Sequence, residues 1–335
     1  MEKKKEMIKV KNLVKKFGDF TAVNGINFEV EEGEIFGLLG PNGAGKTTTL
    51  SMLATLLEIT TGEAYVNDFD VATKRDEVRK SIGIVFQDPT LDDELTAYEN
   101  LDFHGRLYGV PLAEREKKIA ELLKLVELES KKNLLVKNFS GGMKRRLEIA
   151  RSLLHEPKVL FLDEPTLGLD PQTRNKLWEY IKNLNKKKGV TVILTTHYME
   201  EADSLCNRIA IIDHGNIIIS GSPDDLRDQI GGDVITVETE DGVKLEKVIK
   251  GCKGCKSVKH HDGSVTINVD NASKKISEIV ELVNHNKIKA TSFVMHKPSL
   301  EDVFLHYTGK TIREEESSPI EHMRLRRRMW HGGGK

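Results

Sequence analysis

A glycine-rich segment near the start of the chain has the composition of a phosphate-binding loop. Its residues are Gly40, Pro41, Asn42, Gly43, Ala44, Gly45, Lys46, Thr47 and Thr48. They fit the spacing G-x-x-x-x-G-K-[ST], after an apolar stretch and before a helical pattern. Glycines let successive backbone N–H groups face a phosphate, and the following helix presents its positive end. The segment predicts nucleotide binding, with Lys46 on the β and γ phosphates and Thr47 on Mg²⁺. A plain glycine-rich turn is the alternative that this context disfavours.

Two carboxylates close an apolar pattern in the middle of the chain. Val159 to Leu162 is uniformly apolar, and Asp163 and Glu164 follow it. A buried strand of this kind delivers charge to the edge of a sheet. We expect Asp163 to hold Mg²⁺ and Glu164 to polarise an attacking water. The pair alone would be a weak signal, and the phosphate loop strengthens it.

A segment before these carboxylates resembles the signature motif of ABC transporter ATPases, which most often reads LSGGQ. Asn138 to Arg146 reads NFSGGMKRR and lies about twenty residues before Asp163, as in that family. The family's other marks occur in the same order here. They are an adenine-stacking aromatic residue, a Q-loop glutamine, a D-loop and a switch histidine: Phe17, Gln87, Gly168-Leu169-Asp170 and His197. The resemblance covers residues from about 7 to 225.

The resemblance implies a role for each candidate residue. Catalysis is implied for Glu164 as the base, His197 as the γ-phosphate sensor, Gln87 and Lys46. Nucleotide contacts are implied for Phe17, for the loop from Gly40 to Thr48, and for Ser140, Gly141 and Gly142. The implied Mg²⁺ ligands are Thr47, Gln87 and Asp163. In the family, ATP lies between the phosphate loop of one subunit and the signature of another. The chain is therefore expected to hydrolyse ATP with Mg²⁺ as a dimer, with a second copy of itself or a homologous ATPase subunit.

Several candidates have alternative interpretations. Phe17 stands where the family frequently has tyrosine, and an aromatic residue of the strand core is the alternative. Met143 replaces the usual signature glutamine, while Ser140 and both glycines remain. A lone Gln87 is typical of a surface glutamine and a lone His197 of a structural histidine. The apolar strands that precede these two residues favour the functional roles.

The elements that must position these residues indicate an α/β fold. The first two strand patterns are separated by an expected turn at Asn24-Gly25. A helix is predicted from Lys46 to Leu57, and a 3.6-residue period over about 91–155 predicts a helical insertion. The signature helix is expected to have an apolar face formed by Met143, Leu147, Ala150 and Leu154. Strand signals separated by helical segments predict a parallel sheet, at Val159–Leu162, Val190–Leu194 and Ile209–Ile212. Together with the resemblance to ABC ATPases, these elements imply the P-loop NTPase fold of the ABC cassette, with a parallel-sheet core and N-terminal antiparallel strands.

A smaller second domain is predicted beyond Gly231-Gly232. A strand, a helix, a hairpin turning at Asp262-Gly263, a helix from Ala272 to His285 and a last strand follow in the order βαββαβ. This order predicts an α+β ferredoxin-like domain. The predicted division is 1–225 for the cassette and 233–306 for the accessory domain. The charged, glycine-ended tail at 311–335 is predicted to be disordered.

Composition restricts the partners of the chain. Fifty-one Lys and Arg against 52 Asp and Glu give a formal net charge of -1, so no global basic field attracts nucleic acid. No stretch approaches the ~20 apolar residues that span a bilayer, and the N-terminal pattern is not that of a signal peptide. Three cysteines fit a reducing cytoplasm. We expect a peripheral protein at the cytoplasmic face of the membrane, bound to a separate integral membrane permease.

Three segments are similar to ATPase subunits of drug, lipid and polysaccharide exporters of the daunorubicin-resistance type. They are Asp88–Leu101, Phe139–Met143 and Pro298–Phe304. This similarity predicts export and leaves the cargo open. One alternative is an ABC ATPase acting on ribosomes or nucleic acid, although such proteins usually carry two cassettes or long coiled coils. The other is a regulatory ATP switch, which intact Glu164, Gln87 and His197 disfavour.

Two features lie outside this scheme. Cys252 and Cys255 have metal-ligand spacing, and His260 and His261 follow, but a structural zinc site needs four converging ligands. Metal binding is therefore not the favoured interpretation. The basic tail at 324–330 could contact anionic headgroups, although a solvated tail is favoured.

Overall fold

The computed structural model describes residues 5–252, 254–261 and 263–308. These residues form two compact units, the first ending at Ile219 and the second beginning at Ser220. The tail at 311–335 and Asp262 of the expected hairpin turn lie outside the described residues. Among the helices of the described residues, none is long and apolar enough to cross a membrane.

The first unit contains two sheets and the helices that cover them. Its strands are β1 (Glu6–Phe17), β2 (Phe20–Glu31), β3 (Ile35–Leu39), β4 (Thr61–Val66), β5 (Phe69–Asp70), β6 (Ile82–Val85), β7 (Val159–Asp163), β8 (Thr191–Thr196), β9 (Arg208–Asp213) and β10 (Asn216–Gly221), which ends two residues beyond the boundary. Its helices are α1 (Lys46–Leu53), α2 (Arg75–Ser81), α3 (Ala97–Leu107), α4 (Leu112–Leu125), α5 (Gly141–Leu153), α6 (Pro171–Lys188) and α7 (Met199–Leu205).

The larger sheet positions the phosphate loop and both carboxylates. Its strand order is β10-β9-β3-β8-β7-β6, and β9, β3, β8, β7 and β6 run parallel. The residues of β3, β7 and β8 are buried throughout, as expected for central parallel strands with both faces covered. The loops that follow these three strands leave the same edge of the sheet. The prediction of a parallel-sheet core is confirmed.

The smaller sheet has the order β2-β1-β4-β5, and its strands are antiparallel, as predicted. The expected turn at Asn24-Gly25 is wrong, because these residues lie inside β2. Leu13 pairs with Ile26 and Lys15 with Val23, so two residues of β2 oppose one residue of β1. This is a β-bulge, and the positive φ of Gly25, 66°, suits it.

The first helix is shorter than predicted. It ends at Leu53 rather than Leu57. Thr55 adopts the left-handed conformation with φ 61°, and a right-handed helix cannot continue through a residue with positive φ.

Helices fill the chain between β6 and β7, as predicted. α3 begins with a capping box in which Thr96 and Glu99 each bond to the other's backbone N–H. α4 follows, and two short 3₁₀ turns, Glu129–Lys131 and Val136–Asn138, lead to α5. The segment that carries the signature residues is thus the entry to α5.

The second unit is a four-stranded antiparallel sheet with helices. Its elements are α8 (Pro223–Ile230), β11 (Asp233–Thr239), α9 (Gly242–Ile249), β12 (Cys255–His261), β13 (Ser264–Val269), α10 (Ala272–His285), β14 (Ala290–His296) and α11 (Leu300–Thr308). The strand order is β12-β13-β11-β14, and each neighbouring pair is antiparallel. The prediction of a ferredoxin-like βαββαβ order is confirmed. Its core includes Ile235, Leu245, Ile267 and Ile279, all fully buried.

Candidate nucleotide-binding site

The loop between β3 and α1 contains two positions that only glycine can occupy. Gly45 has φ 104°, and a Cβ there would lie 2.6 Å from the carbonyl oxygen of Ala22. A Cβ on Gly40 would lie 2.1 Å from the carbonyl oxygen of Ile212. Gly45 is also the N-cap of α1 and offers no side-chain cap. The first N–H groups of α1 are therefore available to an anion, which is the usual arrangement at a phosphate site.

Lys46 is the cation of this loop, and only 4% of it is exposed. Its Nζ donates to the carbonyl oxygens of Gly40 at 2.8 Å and Pro41 at 3.0 Å. The same atom lies 3.4 Å from Oε1 of Glu164. Burial lowers the pKa of Lys46, although the Glu164 carboxylate opposes this effect. The loop carbonyls thus hold a buried amine beside the N-terminus of α1.

Asp163 is hydrogen-bonded to two hydroxyl groups. Its Oδ1 accepts from Thr47 Oγ1 at 3.0 Å and from Thr195 Oγ1 at 2.5 Å. Burial raises the pKa of Asp163, and the two hydroxyl donors act in the opposite direction. The Thr47 and Asp163 oxygens thus converge at the start of α1. A protein usually gives Mg²⁺ only one or two oxygen ligands, while waters and substrate phosphates supply the others. The oxygens of Thr47 and Asp163 therefore fit a Mg²⁺ site.

Glu164 has an uncommon backbone conformation. Its φ is 44°, the left-handed region that a residue other than glycine enters only at a cost. Its N–H donates to Thr195, to Oγ1 at 3.0 Å and to the carbonyl oxygen at 3.2 Å. Strain of this kind at a buried carboxylate is typical of functional sites.

The side chain of Glu164 is held as an anion. His197 Nδ1 lies 3.2 Å from Oε1 of Glu164. Burial alone would raise the pKa of Glu164, but the His197 hydrogen bond and the Lys46 charge outweigh burial and lower it. An ionised carboxylate is the form that can accept a proton or orient a water.

The structure brings together five of the residues singled out from the sequence. Lys46, Thr47, Asp163, Glu164 and His197 are joined by the contacts above, although they come from three separate segments of the chain.

Two further candidates, Gln87 and Phe17, lie on neighbouring elements. Gln87 is half-buried, two residues beyond β6 and at the same sheet edge. Phe17 is half-buried at the end of β1, with the Lys15 ammonium 4.9 Å from its ring centroid. The next strand, β2, supplies the Ala22 carbonyl oxygen that lies close to Gly45, so the antiparallel sheet is in contact with the phosphate loop.

The signature residues form an exposed helix N-terminus. Ser140 and Gly141 are exposed, and Ser140 Oγ accepts from the N–H of Met143 at 3.3 Å. A Cβ on Gly142 would lie 2.4 Å from Cγ2 of Thr173, so this glycine allows α5 to approach α6 closely. The exposed face at Ser140 is suited to an anion carried by another surface.

The expected apolar face of α5 is only part of its buried surface. Leu147, Ala150 and Leu154 are buried, whereas Met143 is half-buried. The helix also buries Arg145 and Glu148, which a single apolar stripe does not predict. The sequence signal that could have indicated this ion pair is the spacing of three positions between a basic and an acidic residue on one helix.

Thr195 is another residue that the motifs did not single out. It bonds to both acidic residues: its hydroxyl donates to the Asp163 carboxylate and accepts from the backbone N–H of Glu164. The parallel register that pairs Asp163 with Thr195 places it there, and a pairing register between distant strands leaves little trace in sequence.

The two cysteines of the second unit lie away from the histidines that follow them. Cys255 begins β12 and His261 ends it, a separation of about 20 Å at about 3.3 Å per residue. Burial and the neighbouring Cys252 thiol raise the pKa of Cys255 to about 11, and the Cys252 thiol donates to Glu278 Oε1 at 3.1 Å. Among the described residues, no three His, Cys, Asp or Glu side chains converge as metal ligands.

The parallel sheet, the phosphate loop, the paired carboxylates and the signature at the start of α5 together define an ATP-binding cassette. A family model described as "ABC transporter" matches residues 23–167, and one described as "ATP-binding protein DrrA1-3-like, C-terminal domain" matches residues 221–308. The chain belongs to the ATP-binding proteins of ABC transporters and is an ATP-hydrolysing subunit of that class.

Two curated relatives align over nearly the whole chain. The linearmycin resistance ATP-binding protein LnrL of Bacillus subtilis is 40% identical over 312 residues, which cover 92% of this chain and 100% of that protein. The Nod factor export ATP-binding protein I of Burkholderia lata is 39% identical over 309 residues, which cover 92% and 98%.

A solved structure shares the fold of the first unit. It is the ATP-binding cassette MJ0796, a dimer in a post-hydrolysis state bound to ADP and Pi. The TM-score is 0.58 at 33% sequence identity, and the match covers 64% of this chain and 98% of that one.

Proposed function

We propose that this chain energises export through a separate membrane permease, and that two copies close on two ATP molecules at the cytoplasmic face of the membrane. The observation that carries the proposal is the meeting of Lys46, Thr47, Asp163, Glu164 and His197 at one sheet edge. The exposed signature at Ser140 and Gly141 is the complementary surface that a second copy would present. The dimeric state of the MJ0796 cassette supports this arrangement.

Each residue then has a defined task. The N–H groups of α1 and Lys46 hold the β and γ phosphates, while the Phe17 ring stacks on adenine. Thr47, Asp163 and Gln87 hold Mg²⁺, which neutralises phosphate charge when bound. Glu164 orients the attacking water and accepts its proton. His197 holds Glu164 and contacts the γ-phosphate.

The permease is expected to dock on the helical segment between β6 and β7. Phe103 and Leu107 lie four residues apart on α3 and are 58% and 68% exposed, and Leu112 at the start of α4 is 58% exposed. Residues four apart share one helix face, so Phe103 and Leu107 offer an apolar surface to a cytoplasmic helix of the permease. Gln87 lies at the site and directly before this segment, so a change of bound nucleotide at Gln87 would move the helical segment.

The cargo is proposed to be drug-like, lipid or polysaccharide. LnrL is named for linearmycin resistance and the Burkholderia protein for Nod factor export, and the C-terminal domain model is DrrA1-3-like. These relatives favour export over the alternative of an ABC ATPase acting on ribosomes or nucleic acid. A net charge of -1 also gives no global field for nucleic acid.

Glu164→Gln tests the catalytic assignment. Turnover should fall by roughly 10² to 10⁴-fold, the usual size of a general-base contribution, while ATP binding persists and closed dimers accumulate. Glu179→Gln, an exposed change on α6, is the matched control. Light scattering that finds the Glu164→Gln variant monomeric with ATP bound would count against the two-copy model.

Pull-down from detergent-solubilised membranes tests the docking surface. Tagged parent protein should recover an integral membrane partner, and Leu107→Asp should lose it while binding ATP normally. Leu56→Asp changes an apolar side chain of the first unit that is 52% exposed and lies outside the helical segment, so it should behave like the parent. Enrichment of ribosomes or DNA without a membrane protein would favour the alternative function.

A further inference from the structure

A buried arginine on the signature helix contacts the segments that carry both Gln87 and Glu164. Arg145 is 7% exposed. Its Nη2 donates to the carbonyl oxygens of Asp163 at 2.9 Å and Glu164 at 3.0 Å. Its Nε donates to the Pro165 carbonyl oxygen at 2.8 Å, and its Nη1 donates to the carbonyl oxygen of Phe86, the residue before Gln87.

One carboxylate balances the arginine charge. Glu148 Oε2 lies 3.1 Å from Nη1 of Arg145, and Glu148 is 1% exposed. Glu148 also accepts from the N–H of Thr90 at 2.7 Å. A buried charge is costly unless it is paired and hydrogen-bonded, and here the planar guanidinium fork is used almost entirely on backbone oxygens.

These oxygens lie at the residue whose backbone is strained. The carbonyls of Asp163, Glu164 and Pro165 belong to three consecutive peptide groups, and their directions set the φ and ψ of Glu164 and Pro165. Glu164 has φ 44°, a conformation that persists only where its surroundings enforce it. Arg145 stabilises this conformation through its hydrogen bonds to the three carbonyl oxygens, and Thr195 does so by accepting from the Glu164 N–H.

We propose that Arg145 is a positioning residue for Glu164, holding the turn from which this carboxylate reaches His197 and Lys46. The proposal rests on the proposed role of Glu164 as the base. Because the same guanidinium holds Phe86, the turn at Glu164 and the segment entering Gln87 keep one fixed separation. Arg145 contacts backbone only around Glu164, so it acts through that residue and not on the substrate.

Arg145→Lys is the informative variant, because it keeps the charge beside Glu148 and loses the fork. We expect kcat to fall by about 10- to 100-fold, the cost of a small misplacement of a reacting group. KM for ATP should stay within about threefold, since an interaction made mainly in the transition state affects kcat rather than KM. Arg146→Lys is the matched control, because its neighbouring guanidinium contacts Val126 and Glu127 instead.

A second variant tests whether the guanidinium itself is required. Arg145→Ala leaves a guanidinium-sized space, so millimolar guanidinium ion should restore part of its kcat. The same ion should leave Glu164→Gln unchanged, because that variant keeps its own Arg145. Thermal unfolding of each variant is measured alongside turnover.

The outcomes separate this proposal from the proposed function. Inactive Glu164→Gln with Arg145→Lys at parental kcat overturns the positioning role alone. A parallel loss of ATP affinity, melting temperature and kcat in Arg145→Lys, or failure of both Arg145 variants to fold, assigns the arginine to stability and also overturns it. Glu164→Gln with parental turnover contradicts the proposed base, and the role of Arg145 falls with it.

Discussion

The two units of the chain bury different kinds of side chain. Among the described residues, the buried charged side chains all belong to the first unit: Lys46, Arg115, Arg145, Glu148, Asp163, Glu164 and Glu201. In the described part of the second unit, the buried polar side chains are the neutral Thr239 and Asn268. Burying a charge costs free energy unless partners compensate it. The comparison indicates that buried charges in the first unit serve its chemistry at a cost in folding free energy. The second unit is stabilised mainly by the packing of apolar side chains.

The position of the buried charges supports this view. Six of the seven lie in the site or bond to residues next to it. Lys46, Asp163 and Glu164 lie in the site, Arg145 and Glu148 bond to the neighbouring segments, and Glu201 bonds to Thr196 at the end of β8. Arg115 is the exception. It forms an ion pair with Asp102 at 2.5 Å that joins α3 to α4, and this ion pair is structural. Among the described residues, buried charge is therefore concentrated in the site and next to it.

Among the tests of the two units, the largest expected effect is that of removing the cation of the loop, which should impair both binding and hydrolysis. Lys46→Ala should reduce hydrolysis by on the order of 10³-fold, the size typical of a positioned cation in phosphoryl transfer, and should weaken ATP binding. Steady-state hydrolysis and fluorescent-nucleotide titration would measure both quantities. Lys176→Ala, an exposed lysine on α6, serves as the control. ATP affinity and turnover close to the parent's would contradict the assignment of Lys46.

A core substitution in the second unit should have the opposite profile. Ile267 on β13 is fully buried, and Ile267→Ala should destabilise the second unit by about 3 kcal/mol, within the usual range for such a cavity. Hydrogen exchange should show lost protection in β11 and β13, with β3 and β7 and the ATP affinity unchanged. Equal loss of protection in β3 and β7 would mean that the two units do not separate stability from chemistry.

Local patterns explain what the sequence could predict. The glycine spacing at Gly40–Thr48, the apolar stretch before Asp163 and the signature at Ser140–Gly142 each lie within a short stretch of chain. Glycine-only backbone positions and buried strands leave direct marks in residue type. The fold class and the order of the second unit followed from such patterns, and the structure confirms them.

Contacts between distant segments explain what the sequence missed. Arg145 bonds to the backbone of residues 18 to 59 positions away, and a backbone oxygen carries no mark of its partner. The same holds for Thr195, which reaches Asp163 through the strand register. The Asn24-Gly25 error has a related cause, because a positive-φ glycine suits both a hairpin turn and a bulge, and only pairing with β1 decides between them.

Glu201 offers a smaller test of the buried charges. It is fully buried, and it accepts from Trp178 Nε1 at 3.0 Å. Burial raises the pKa of Glu201 above its usual 4.5, so the folded state binds this proton more tightly than the unfolded state. The stability that Glu201 contributes is present at low pH and is lost as pH rises from about 4.5 through the folded pKa.

Glu201→Gln removes this titration and keeps an acceptor for Trp178. The parent's unfolding free energy should therefore fall relative to the variant as pH rises, by about 1 kcal/mol, a common size for one substitution. Urea unfolding at a series of pH values measures the difference, and the exposed Glu200→Gln is the control. If the unfolding free energies of the parent and Glu201→Gln changed with pH in the same way, ionisation of Glu201 would not destabilise the folded state and the prediction would be wrong.

The smallest expected effect is that of removing the second unit. Every residue placed at the candidate site precedes Ile219, where the first unit ends, and a fragment ending at Gly221 keeps β10 whole. A compact unit with its own core can retain its fold when separated, so ATP affinity should stay within about threefold of the parent's, less than 1 kcal/mol. Fluorescent-nucleotide titration of the fragment and of its Lys46→Ala variant makes the measurement. A folded fragment that binds ATP no better than that variant would show that the second unit contributes to the site, and the division between a unit for chemistry and a unit for packing would fail.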